Sequence, residues 1–372
     1  MFPTMKRILA QATKELNQFW RDRLTVALAI VLPLLTLFIF GFAIRLESKN
    51  IPIAIQDLDI SPRSRAYVEQ IFATNKFQPV PWLLEQSPAE VIDEGKARAV
   101  IVIPPDFDRQ ITRGEPVAVQ VLIDGTDANN ARFVQNSIRA TTTAFNRSSG
   151  LVRRSPPVEA DVRLWFNPGR EEFLYIVPGV FGVVLWIFPS LLAAIAMVRE
   201  KERGTIIQVY ASDLSAEELL LGKELAYWLV GIAEALVVVG LGVLIFGLRF
   251  AGDPTPFILG TLIFLAAAVM FGLFVGVRAN TQNAAVQGVA LVGFLTALLL
   301  SGFIYPLDNI PFPLSLISNV VPARYYIELS RDAFVRGTGW PGVWWTVVMI
   351  FVIGFVLFNI ARRLLSRMQL KG

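Results

Sequence analysis

The chain has 372 residues, 54% of them hydrophobic and 17% charged, whereas water-soluble domains run at about 45–50% apolar and roughly 25% charged. It has no cysteine and no histidine, which excludes disulfides, thiol catalysis, a Ser-His-Asp triad, histidine-ligated haem and cysteine or histidine zinc centres. The net charge of +4 comes from basic residues beside apolar blocks, so it reads as a topology signal and not as a nucleic-acid footprint.

In chain order, Met5, Ile8, Leu9, Ala12, Leu16, Phe19 and Trp20 repeat at the spacing of one helical face, with Lys6, Arg7, Lys14 and Gln18 elsewhere. The spacing predicts a basic amphipathic helix lying in the cytoplasmic interface, residues 1–23, with nothing beneath it to pack against. A hydrocarbon core about 30 Å thick needs about 20 apolar residues. Six stretches qualify: Leu24–Ile44, Phe173–Val198, Leu225–Leu248, Phe257–Val277, Ala284–Phe303 and Val343–Ile360. The short basic flanks, Lys6 to Arg23, Arg199 to Lys223, Arg278, and Arg362 to Lys371, put both termini in the cytoplasm. Residues 45–172 then lie outside.

Within that insert, 51–56, 97–103 and 117–123 are β-branched runs ending in turn formers, and 62–73, 87–96, 106–113 and 127–147 read as helices. Alternation of the two predicts a small α/β domain with a parallel or mixed sheet, followed by a proline-rich return over 151–172. The acidic turns at Asp57, Asp59 and Ser61, and at Asp124 and Asp127, lack the glycine and distal glutamate of an EF-hand, so capping explains them better than metal. The fold class is therefore an α-helical polytopic membrane protein of six spans with an inserted extracytoplasmic α/β domain.

Gly95-Lys96 and Gly222-Lys223 lack the Ser/Thr and upstream glycine of a phosphate loop, so the chain has no Walker A. Between the second and third spans, Arg199-Glu200-Lys201-Glu202-Arg203-Gly204 precedes a capping box, Ser215-x-x-Glu218. This connection reads either as a short charged helix for a cytoplasmic partner or as a self-paired loop. Glu234 is the one acid read deep in a span, at a cost of about 2.5–3.5 kcal/mol at mid-bilayer, so it faces an interior, a partner or water. Asn283 and Gln287 are milder polar positions that bond neighbouring helices. Pro306, Pro311, Pro313 and Pro322 break 304–341 into pieces too short to cross, as backbone buried in protein or lining a cavity allows. Arg324, Glu328 and Arg331 have the spacing to pair along one helix face.

The RE-K-ERGT run, SGFIYPLDNIP (301–311) and ISNVVPARYYIELSRDAFVRG (317–337) resemble the permease subunits of ABC-2-type transporters, as do IPIAIQDLDIS, AVIVIPPDFDRQI and LWFNPGREEF. The matching subgroup is multidrug-exporter-like, with a large external domain between the first two spans. The resemblance covers nearly the whole chain and says nothing of the cargo. It implies a multi-pass protein of the bacterial plasma membrane, partnered by an ATP-binding-cassette ATPase subunit and a second permease, identical or paralogous. ATP and magnesium would sit on the ATPase, with no cofactor on this chain, no nucleic acid, and lipid around the spans. It further implies that Glu200, Lys201, Glu202, Arg203, Gly204 and Thr205 couple to the ATPase, within a cytoplasmic loop of 199–223. It also makes 304–341 outward re-entrant helices. Glu234 would line the translocation path or a subunit interface. The competing reading is a membrane scaffold or receptor whose external domain binds a cell-envelope partner. An ion-coupled carrier calls for inverted repeats and several intramembrane charges, and a membrane enzyme for a catalytic constellation that the sequence lacks.

Overall fold

The computed structural model describes residues 2–43, 50–81, 87–125, 128–149, 171–204 and 214–369. Thr205, Asp127 and the return segment 151–170 lie outside these residues. The chain divides into two compact units, one of Met1–Ile44 with Leu164–Gly372, the other Arg45–Arg163.

Helix α1 (Phe2–Arg21) leads into α2 (Arg23–Ala43). The second unit follows with β1 (Ile51–Asp57), α3 (Pro62–Ala73), β2 (Phe77–Val80), α4 (Pro88–Asp93), β3 (Ala99–Ile103), α5 (Phe107–Arg113), β4 (Gln120–Ile123) and α6 (Ala128–Ser148). The sheet order is β2-β1-β3-β4, with β1 parallel to both β2 and β3, and β4 antiparallel to β3. β2 was not legible in the sequence. Its four residues include Pro79, whose missing N–H an edge strand tolerates, and β2 is an edge here. Ile53, Ile101 and Ile103 turn one face of the sheet onto Tyr67 and Ile71 of α3, Phe107 of α5 and Phe145 of α6. Ala54 and Val100 turn the other onto Val91 of α4. Asp57 closes the turn after β1 by accepting from the amides of Asp59 and Ile60 and from the Ser64 hydroxyl, while Ser61 caps α3. Asp124 pairs with Arg98 at 2.5 Å. The acids do turn and pairing work.

The first unit resumes with α7 (Phe173–Glu202), α8 (Ala216–Phe246), α9 (Thr255–Arg278) and α10 (Gln282–Leu299, with a π turn over Val289–Phe294). Two short helices, α11 (Leu314–Ser318) and α12 (Pro322–Arg331), precede α13 (Trp340–Gln369). Among the described residues six helices, α2, α7, α8, α9, α10 and α13, are long and apolar enough to cross a membrane. Helix α8 begins nine residues before the expected Leu225, because the Ser215 and Glu218 capping box starts it there.

The apolar window of α7 is 83% buried, against 17–28% for α2, α8, α10 and α13, so α7 is the central helix. Glycine makes this possible. A Cβ on Gly272 of α9 would stand 2.0 Å from the Ser190 carbonyl oxygen, and one on Gly276 2.8 Å from that of Ala194. Small residues one turn apart let two helices touch backbone to backbone, the usual way helices associate in lipid. Ser190 then donates to the carbonyl of Ala268 at 2.7 Å. On the same contact, Trp186 stacks on Phe264 and Phe271, and Phe264 stacks on Tyr326 of α12 with centroids 4.1 Å apart.

Candidate functional site

The charged run after the second span is the last turn of α7 and not a loop. Glu, Lys and Arg are good helix formers, and the helix stops only at Arg203, followed by Gly204 at φ +67°. Arg199 and Glu200 are buried, Lys201 is half-buried, and Glu202, Arg203 and Gly204 are exposed.

Three charges on that turn, Glu200, Lys201 and Glu202, reach four other helices. Glu200 accepts from Lys14 of α1 at 2.6 Å and faces the ammonium of Lys223 of α8 at 3.4 Å. Lys223 is wholly buried, and it also donates to Glu15 of α1 at 2.5 Å and to the Ala196 carbonyl at 3.3 Å. Gln11 Nε2 completes Glu15 at 2.9 Å. Helix α1 approaches this closely because Gly222 leaves room, and a Cβ there would sit 2.7 Å from Gln11. Lys201 donates to the carbonyls of Gly276, Val277 and Ala279 at 3.0, 2.5 and 3.1 Å, the negative end of α9. Glu202 accepts from the Gln282 amide at 2.7 Å and from its side chain, at the positive end of α10. One helical turn therefore fastens α1, α8, α9 and α10.

Two expectations change. Helix α1 is a packed helix as well as an amphipathic one: Gln11, Ala12, Glu15 and Phe19 are buried on it, while Met5, Leu9 and Trp20 stay exposed. Asn283 and Gln287 are exposed and bond no neighbouring helix among the described residues; Gln282 makes that contact instead. Glu15 and Lys223 escaped the sequence reading. The available signal was an acid on the apolar stripe Ile8, Ala12, Phe19, which must find a cation if the stripe is buried.

Glu234 is 5% exposed, and neither carboxyl oxygen has a hydrogen-bond partner among the described residues. It lines a cavity of about 300 Å³ walled by Phe19 and Trp20 of α1, Val26 and Ile30 of α2, and its own helix. Glu224, also inside α8, borders a second apolar groove toward α9 and α13 and has one oxygen without a partner.

In the segment after α10, Pro306 precedes a single 3-10 turn and Pro322 opens α12. Arg324, Glu328 and Arg331 form no ion pair with one another among the described residues. Nearby oxygens offer the arginines better-placed acceptors. Arg324 donates to Ser318 at 3.3 Å and Asn319 at 2.5 Å. Arg331 donates to the Gly302 carbonyl at 2.9 Å, its guanidinium 3.8 Å from the centre of the Tyr175 ring. Arg331 ties the broken segment to Tyr175 of α7, while Arg324 holds α12 to the end of α11 within that segment.

Six apolar helices around a buried centre, with no catalytic cluster seen in the described residues, define a multi-pass membrane protein. Residues 23–363 match the ABC-2 family transporter protein model, and the chain belongs to that family. It is 28% identical over 360 residues to the probable multidrug ABC transporter permease YbhS of Escherichia coli K12, covering 95% of this chain and 94% of that one. It is 27% identical to the probable multidrug ABC transporter permease YbhR of the same organism, over 96% and 98% of the two chains. The linearmycin resistance permease protein LnrN of Bacillus subtilis is 20% identical, over 90% and 92%.

Proposed function

We propose that this chain is the membrane-spanning subunit of an ATP-binding-cassette exporter, working with a second permease subunit and driven by a separate ATPase subunit that carries ATP and magnesium. The observation that carries the reading is the last turn of α7. It ties four other helices together beside exposed Arg203 and Gly204, so a force applied there is felt by all of them. A motor shifts the permease between inward- and outward-facing arrangements only if it binds the two differently. In this reading Arg203, Gly204 and Thr205 meet the ATPase, while Glu200, Lys201 and Glu202 transmit the load. On the same reading, which the basic flanks support, this turn and both termini lie in the cytoplasm and residues 45–172 on the outer side. Segment 304–341 re-enters the membrane from the outer side.

The test uses the absence of native cysteine. With Arg203→Cys, a membrane-impermeant maleimide should label lysed cells and spare intact ones. The chain should co-purify with an ATPase subunit, and Arg203→Glu should cut transport-linked ATP hydrolysis at least several-fold while leaving thermal stability unchanged. Labelling in intact cells, or a chain that purifies without any ATPase, favours the scaffold instead.

A further inference from the structure

Glu234 is a buried carboxyl in an apolar cavity, with no hydrogen-bond partner among the described residues. Its neighbours in the cavity are Phe19, Trp20, Val26, Ile30 and Val237, and the volume is about 300 Å³, at the lower end of the range for small-molecule sites. Trp20 and Ala233 are exposed and stand at its rim, while Phe19 and Glu234 are buried within.

We propose that this cavity is a binding site for a lipophilic monocation, an amine or quaternary ammonium carrying an aromatic or branched aliphatic body, with Glu234 as its counter-ion. The chemistry selects that class. A buried carboxylate is costly alone and tolerable once a cation lies against it. Among the lining side chains only Glu234 carries oxygen, and apolar walls replace neither the further oxygens nor the retained water shell that calcium and magnesium require. A quaternary ammonium sheds water cheaply and gains from aromatic faces. Phe19 and Trp20 stand edge to face, centroids 5.6 Å apart, and offer such a surface. Calling the occupant cargo rests on the exporter reading; the site itself does not.

The test is equilibrium binding to the full chain in phosphatidylcholine nanodiscs, without ATP. The probe is benzyltrimethylammonium, with neopentylbenzene as its uncharged isostere. The expected result is saturable binding of the cation, at least tenfold weaker in Glu234→Gln, with neopentylbenzene indifferent to that substitution. Ala233→Trp keeps the carboxyl and fills the rim, and should abolish cation binding; it guards against Glu234→Gln failing to fold. No cation binding by the wild type, or equal binding by either variant, overturns the proposal. Neither result touches the exporter reading, which stands or falls on the ATPase subunit.

Discussion

An ammonium with no exposure, held between Glu15 and Glu200 and a backbone carbonyl, is stable only while every partner stays. Taking one member from a buried ion pair typically costs about 3–5 kcal/mol, because the remaining charge is stranded. Lys223→Met should therefore lower the unfolding free energy by about that much, read by thermal or denaturant unfolding in detergent. The triple variant with Glu15→Gln and Glu200→Gln should recover most of the loss, since no bare charge remains. Reversing Glu200 is likewise an experiment on folding: a lysine there would face Lys14 and Lys223. The sequence displayed all these charges but not their pairing. Lys14 and Glu200 stand 186 positions apart, and no local spacing relates them. Glu234 was legible as an anomaly because a lone acid in an apolar run has a fixed cost; its cavity was not, because three helices build it.

Among the elements, legibility follows how local the cause is. The spans could be read because bilayer thickness sets their length, and the Ser215 capping box because four residues contain it. β2 could not, being a four-residue edge strand held by backbone pairing to β1. The contact between α7 and α9 shows the same division: its glycines are visible in sequence, their facing carbonyls are not. Gly272→Val drives a side chain into the Ser190 backbone and should cost about 1–3 kcal/mol or more by overpacking. Gly240→Ala in α8, where a Cβ meets nothing within 4 Å, should be neutral or gain up to about 1 kcal/mol of helix propensity. Melting temperatures of the two variants in one detergent decide the comparison.

For the whole molecule, two units with separate cores imply separable stability. Residues 45–163 hold a sheet covered on both faces and a core of their own, as an independent domain of that size does. Expressed alone, that unit should unfold in one cooperative transition, and Ile101→Ala, at a position with no exposure, should destabilise it by about 2–5 kcal/mol. A broad, non-cooperative melt would show that the unit depends on the rest of the chain.

The ion network at the end of α7 also bears on biogenesis. A ribosome delivers the chain from its amino end, and both acids that neutralise Lys223, at positions 15 and 200, precede it in that order. The counter-charges are already made when the cation emerges. Had the order been reversed, a naked ammonium would have waited for its partners at the translocon's exit.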